Sequence, residues 1–222
     1  LRIPEEGRLV SRFDGAEVLA GDPTLDWLIK MRISERLIGP FNFTAFTRSF
    51  DGAWAWWDQP SFRVDQLLCH PTQGGFEERA GNTIEKIDLL ATTLTIKKSA
   101  LIPNTRERLF FIRYVDKRPV TQRVDNTGIL SAPRVDIDVD TYGMDGIGTL
   151  EAGPGMLDGL FWGVLQDGDW YELKHRAWAW TVEGGYQWKK GPLHQWKPWA
   201  RLGYFQGSGD FQPVRYRASD LL

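Results

Sequence analysis

Residues 177–188 read Ala-Trp-Ala-Trp-Thr-Val-Glu-Gly-Gly-Tyr-Gln-Trp, so that large side chains alternate with small or polar ones. In an extended chain one side carries Trp178, Trp180, Val182, Gly184, Tyr186 and Trp188, and the other carries Ala177, Ala179, Thr181, Glu183, Gly185 and Gln187. A period of two places these sets on opposite faces of a β-sheet. The pattern fits a soluble sandwich with an aromatic core, and equally a membrane barrel with its aromatic face toward lipid.

The same alternation recurs along the chain and predicts an all-β, antiparallel fold. Further strands are expected at residues 8–19, 25–34, 41–50, 61–68, 84–97, 108–115, 135–142, 157–166 and 199–206, which makes about ten in all. Short breaks, such as Gly39-Pro40 and Asp167-Gly168, separate some of them. Long polar segments at 71–82, 117–133 and 143–155 read as loops. Short turns mixed with long loops are typical of outer-membrane barrels.

Composition narrows the class of protein further. The 222 residues include 11 Trp, 12 Phe and 6 Tyr, and the net charge of −2 gives no reason to expect a nucleic-acid partner. The single cysteine, Cys69, excludes an internal disulfide framework and a multi-cysteine metal site. No run of 18 uncharged apolar residues predicts a membrane-spanning helix, but a transmembrane strand needs only about 9–11 residues.

Motifs for catalysis, metals and cofactors are not found, so neither an enzyme nor a cofactor or metal site is predicted. The histidines, His70, His175 and His194, stand in no pattern that reads as a triad. The alternating acids that begin at Asp136 resemble a calcium loop, but Thr141 and Ile147 stand where that loop needs glycine and an acid.

Charged residues on the faces opposite the apolar ones are candidates for the wall of a channel. They are Lys30, Arg32, Arg63, Lys97, Arg113, Asp136, Asp138, Asp140, Glu183 and Arg201. The candidates for lipid-facing or interfacial aromatic positions are Trp27, Trp178, Trp180, Tyr186, Trp188 and Tyr204. Each charged residue also fits a solvated or salt-bridged position, and the two signs nearly balance.

A tryptophan cluster stands next to a predicted turn, in Gly52-Ala53-Trp54-Ala55-Trp56-Trp57. One interpretation is an interface belt or loop packing, since indole rings suit sites with one apolar and one wet side. The other interpretation is a surface on which sugar rings stack.

Residues 178–210 carry a resemblance to a known family. The aromatic strand that ends at Gly185-Tyr186-Gln187 is followed by Trp196-Lys197-Pro198-Trp199, then by Gly203-Tyr204 and Ser208-Gly209-Asp210. This arrangement resembles the late hairpin of the bacterial alginate-export outer-membrane porins, and residues 12–16 and 65–71 resemble earlier parts of that family. The resemblance implies an eighteen-stranded antiparallel barrel in the bacterial outer membrane. Such a barrel passes an anionic polysaccharide through an arginine-rich pore.

The chain departs from that family in three respects. It supplies only about ten strands and has no terminal aromatic residue, so residues 1–222 are expected to be a single β-barrel domain or a fragment of one. Its predicted inward charge is balanced rather than basic.

The expected function is that of an outer-membrane porin giving passive passage to a hydrophilic, anionic or polysaccharide-like solute. Its partners would be membrane lipid, the solute and a chain that completes the barrel. One alternative is a soluble, β-rich carbohydrate-binding or carbohydrate-active domain. Another is a barrel component of a larger membrane complex, whose edges pair with another chain.

Overall fold

The structure, a computed structural model, describes residues 28–33, 37–38, 49–73, 79, 81–97, 104–118, 120–122, 129–134, 137–170, 173–192 and 195–208. Its strands are β1 (Phe50–Asp58), β2 (Phe62–Pro71), β3 (Ile87–Ile96), β4 (Thr105–Asp116), β5 (Val120–Gln122), β6 (Ile129–Arg134), β7 (Ile137–Ala152), β8 (Gly155–Trp170), β9 (Leu173–Trp188) and β10 (Trp199–Gly207).

Eight of these strands form one sheet, in the order β1-β2-β3-β4-β7-β8-β9-β10, and every neighbouring pair is antiparallel. Strands β5 and β6 form a separate hairpin between β4 and β7. The antiparallel all-β fold is therefore confirmed. Closure of the sheet into a barrel and the count of eighteen strands remain predictions.

One face of the sheet, called the inner face here, is covered by the π-helical turn Ile29–Ile33 and the residue before it. Leu28, Ile29 and Ile33 are almost fully buried, at 1%, 0% and 2% exposure. They pack in one apolar cluster with Leu67, Cys69, Leu89, Ala91, Phe110, Ile112, Ile147, Leu160, Trp162 and Val164 of the sheet. The core of the described chain thus lies between residues 28–33 and the inner face.

The strand predicted at residues 25–34 is wrong over Ile29–Ile33, which form a helical turn. Ile29 and Ile33 are four residues apart, so the apolar residues that satisfy a period of two also satisfy a helical period. Within the described residues, no helix is long and apolar enough to cross a membrane.

Six strand predictions are confirmed, by β2, β3, β4, β8, β9 and β10. The strand predicted at 135–142 is longer than expected, because β7 continues to Ala152, through most of the loop predicted at 143–155. Strand β1 was not predicted, and Asp167-Gly168, read as a turn, lies inside β8. The predicted strand at 8–19 and nearly all of that at 41–50 lie outside the described residues.

Glycines explain why β7 reads as a loop. A Cβ atom at Gly143 would overlap the ring of Phe110 on the neighbouring strand, so glycine there makes room for an aromatic side chain rather than marking a turn. The true turn is at Gly153-Pro154, between β7 and β8. Gly153 has a φ of 57°, a value that glycine adopts without steric cost.

Candidate functional site

The face opposite the inner one, called the outer face, carries a continuous apolar band across β7, β8 and β9. The band covers residues 142–150, 157–165 and 178–186, and the strand register aligns its ends: Tyr142 is opposite Leu165, and Leu150 is opposite Leu157. Leu157 and Leu165 are in turn opposite Tyr186 and Trp178. Exposed side chains in it include Tyr142, Met144, Leu150, Leu157, Leu165 and Val182. Its length matches the roughly 9–11 residues that a strand needs to cross a bilayer.

Aromatic side chains predicted to face lipid lie on this outer face. Trp178, Trp180, Tyr186 and Trp188 follow the alternation along β9, and Tyr204 lies opposite Val182 on β10. The rings of Trp180 and Tyr204 are 5.3 Å apart, and those of Tyr186 and Trp188 are 4.7 Å apart. Trp27 lies outside the described residues. Contact of these rings with lipid stays a prediction.

Beyond one end of the apolar band, the outer face becomes charged. This charged rim consists of Arg113, Asp138, Asp140, Asp167, Asp169, Lys174 and Arg176, which lie side by side on β4, β7, β8 and β9. Its cations pair with its carboxylates: Arg113 with Asp138 at 2.6 Å, Lys174 with Asp169 at 2.6 Å, and Arg176 with Asp167 at 3.0 Å. The boundary between band and rim is sharp, as expected where a strand leaves an apolar layer for water.

Three of the predicted channel residues lie on the outer face. Arg113, Asp138 and Asp140 belong to the charged rim, whereas their strand neighbours Ile112 and Val139 point to the inner face and are buried. As the period of two predicts, these charges lie opposite the apolar set of β4 and β7. In the structure that set is needed inside, where residues 28–33 cover the apolar cluster. Asp136 lies outside the described residues.

On the inner face, beside the apolar cluster, three of the ionic groups formed by the described residues join arginines to buried carboxylates. The first is centred on Asp145 of β7, whose side chain is fully buried. It accepts a hydrogen bond from Arg106 and one from Arg108 Nε at 2.7 Å, both of them on β4. The guanidinium of Arg108 also lies 5.2 Å from the centre of the Phe110 ring. One carboxylate thus holds two buried arginines, as burial of charge requires.

The second group joins β8, β9 and β10 to residues 28–33. Arg201 contacts Asp158 and lies 3.2 Å from Glu183. Glu183 also accepts two hydrogen bonds from Arg32, at 2.7 and 2.8 Å. The hydrogen bond with Glu183 is the largest cause that raises the pKa of Arg32. This ion pair fastens the helical turn to the wall of the sheet.

The third group lies on β1 and β2. Asp65, which has no exposed surface, accepts hydrogen bonds from Arg63 at 2.8–3.0 Å and from the indole nitrogen of Trp54 at 3.1 Å. Lys97, directly after β3, pairs with Asp58 at the end of β1. Lys30 belongs to the helical turn, and its side chain is outside the described part of the chain.

Of the predicted channel residues, Arg32, Arg63, Glu183 and Arg201 are thus brought to the inner side of the sheet. Arg106, Arg108, Asp145 and Asp158 join them there and are not among the residues predicted from the sequence. Arg108 and Arg106 lie one and two alternation steps before Phe110, so the period of two in β4 predicts that they share its face. Asp145 could not be predicted as an inner residue because the sequence of its segment, 143–155, resembles a loop.

The three groups together join five arginines to four carboxylates: Arg32, Arg63, Arg106, Arg108 and Arg201 to Asp65, Asp145, Asp158 and Glu183.

The described residues form neither a metal site nor an exposed thiol. Within them, no group of three or more His, Cys, Asp or Glu side chains is placed to hold a metal ion. Cys69 is buried in the apolar cluster.

A family model described as alginate export matches residues 32–220, which include all ten described strands and Arg32. No curated protein and no solved structure matches the chain.

Proposed function

Because the chain belongs to the alginate export family, we propose that it forms the wall of a β-barrel in the bacterial outer membrane. There it acts as a porin that gives passive passage to a hydrophilic, anionic, polysaccharide-like solute. The family is one of exporters rather than enzymes, so the protein's task is to supply a path rather than a reaction. A charged chain cannot cross hydrocarbon unaided, because the transfer of unpaired charge from water to an apolar medium is very costly.

The observation that carries this proposal is the difference between the two faces of the sheet. The outer face has an apolar band of transmembrane length, bounded by a charged rim. The inner face has ionised groups on every strand from β2 to β10 in the sheet, apart from β3. A soluble carbohydrate-binding domain would be expected to turn polar side chains to solvent, whereas Leu165 and Val182 of the band are 63% and 47% exposed.

Arginines on the inner side support an anionic solute. Among the described residues, the three ionic groups hold five arginines, of which Arg32 is the most exposed, at 43% of its side chain. Arginine remains charged at any pH at which the protein is stable. Its planar guanidinium matches the carboxylate groups of an acidic polysaccharide.

Residues 28–33 limit the width of the path. They cover the apolar part of the inner face, which would otherwise face the aqueous interior at a cost of about 25 cal/mol per Å². The solute would then pass beside this turn, along the ionised part of the wall.

The test is electrical. The purified protein is added to planar bilayers in KCl, and the conductance steps and the reversal potential across a salt gradient are measured. Discrete steps with a reversal potential that favours Cl⁻ are expected. Absence of conductance in a protein that has inserted, or a preference for K⁺, would contradict the proposal.

Two variants make the test specific. Arg201→Gln removes a charge from the inner face and is expected to shift the reversal potential toward K⁺. Arg176→Gln removes an equal charge from the charged rim, where the side chain is 84% exposed and faces outward. It should leave the reversal potential nearly unchanged, because exposed charges are screened within about a Debye length.

A further inference from the structure

The three tryptophans of residues 54–57, for which the sequence allows two interpretations, lie on different faces of the sheet. Trp54 and Trp56 lie on the inner face of β1, where their Cα partners are Leu67 and the fully buried Asp65. Trp57 is opposite Val64 and faces outward. Two of the three rings therefore stand on the side where the solute is proposed to pass.

These two rings are held in place by a buried layer beneath them. The indole planes of Trp54 and Trp56 stack with their centres 4.5 Å apart and 29° between them. The guanidinium of Arg63 lies 5.5 Å from the centre of Trp54 and 5.9 Å from that of Trp56, a distance typical of cation–π contacts. Asp65 anchors both Arg63 and the indole N–H of Trp54. The stack is fixed before any ligand arrives.

Trp56 is the open end of this stack. Its side chain is 55% exposed, whereas Arg63 and Asp65 below it are 6% and 0% exposed. The next inner position along β1 is Asp58, an exposed carboxylate that pairs with Lys97. An aromatic surface thus lies directly beside an acceptor and a donor group.

Sugar rings match this combination. A pyranose has one or two faces of C–H groups, which pack on an indole, and a rim of hydroxyl groups, which hydrogen-bond to a carboxylate or an ammonium group. We propose that Trp56, backed by Trp54 and flanked by Asp58 and Lys97, forms a subsite on which a pyranose unit of the passing polysaccharide stacks. This inference rests on the proposed function, since that function places the inner face along the solute's path.

A fixed aromatic surface is suited to transport because it binds without strict orientation. Stacking contributes contact area with few directional bonds. Few bonds must therefore break when the sugar ring dissociates. The rigid support from Asp65 and Arg63 lowers the entropy lost on binding, so that a contact with few directional bonds can still bind a sugar ring. Conduction needs binding that is favourable enough to enter and weak enough to leave.

The subsite is tested by calorimetric titration of the full chain in detergent with alginate oligosaccharides, and with cellohexaose as an uncharged probe. Trp56→Leu is expected to weaken binding of both probes about five- to tenfold, the loss of one aromatic contact. The matched control is Trp57→Leu, a neighbouring tryptophan of similar exposure on the other face. It should change the affinity by no more than about twofold. Equal losses in the two variants, or binding unaffected by Trp56→Leu, would overturn the subsite.

Folding and pore activity are followed in the same preparations. Trp56→Phe keeps a ring and should restore most of the affinity that Trp56→Leu loses, which excludes simple misfolding as the cause. KCl conductance without any sugar binding would overturn the subsite and leave the porin proposal standing. Sugar binding that depends on Trp56, in a protein that conducts no ions, would support the subsite and contradict the pore.

Discussion

In this single sheet, individual charged residues can be buried because side chains of opposite charge lie beside them. Asp145 and Arg106 have fully buried side chains, and Arg108 is 6% exposed. Removing one partner from such a group leaves a charge without compensation, which is far more costly than losing an exposed pair. The charged rim provides the exposed comparison.

Asp145→Asn is predicted to lower the free energy of unfolding by about 3–5 kcal/mol, because Arg106 and Arg108 keep their charges but lose their carboxylate. The measurement is a urea titration of the protein in detergent micelles.

Asp167→Asn serves as its control, since Asp167 and its partner Arg176 are 66% and 84% exposed. Its effect should stay within about 0–1 kcal/mol. A similar loss in the two variants would mean that Asp145 is not the buried centre of its ionic group.

At the scale of a single strand, the position of a residue along the apolar band determines how much an arginine substitution lowers the free energy of unfolding. The apolar bands of β7, β8 and β9 share a centre, because Gly146 is opposite Phe161, and Phe161 is opposite Val182. Leu165, in contrast, ends the band beside Asp167 of the charged rim. If the band lies in the bilayer, Val182 is near the midplane and Leu165 is near the interface.

Val182→Arg is therefore predicted to destabilise the protein in lipid vesicles by about 2–4 kcal/mol, the cost of an arginine near the midplane. Leu165→Arg should cost only about 0–1 kcal/mol near the interface. Unfolding titrations in vesicles measure both values. Equal costs, or a larger cost for Leu165→Arg, would place the band somewhere other than across a bilayer.

The element scale also explains the helical turn at Ile29–Ile33. In an extended strand, Leu28 would lie on the face opposite Ile29 and Ile33. A helical turn instead directs Leu28, Ile29 and Ile33 into the apolar cluster, while Arg32 reaches Glu183. The wall of the sheet selects this conformation, because it offers both an apolar surface and a carboxylate.

At the scale of the whole molecule, the eight-stranded sheet has two edges, β1 and β10. Among the described residues, neither edge pairs with a further strand on its other side. Unpaired backbone groups cannot be tolerated in the hydrocarbon of a membrane, so a membrane-spanning sheet must close. We expect further strands, from this chain or from a partner chain, to complete the barrel.

Closure predicts heat-dependent mobility on a detergent gel. The protein recovered from the outer-membrane fraction should migrate differently when unheated than when boiled, because a closed barrel resists detergent until it is heated. If a partner chain completes the barrel, the unheated band should contain both chains. Recovery in the soluble fraction, with identical mobility before and after boiling, would contradict the barrel and favour a soluble carbohydrate-binding domain.

Sequence alone determined the class of fold and the family resemblance. The alternation in β9 is unambiguous, because tryptophans on one side and small residues on the other leave only one way to divide the strand. It also identified the family that the comparison with family models then matched. These features are local, because a period of two can be recognised in one strand without knowing which strands lie beside it.

Only the tertiary structure decided which face of β4 and β7 points inward. Both faces of these strands carry apolar residues, so Arg113, Asp138 and Asp140 could be placed on either side by their pattern alone. The choice depended on residues 28–33, distant in sequence, whose apolar side chains require an apolar partner surface. Tertiary structure likewise decided that Trp56, and not Trp57, lies on the inner face. An alternating pattern defines two faces, and only the packing of other elements against the sheet determines which of them is buried.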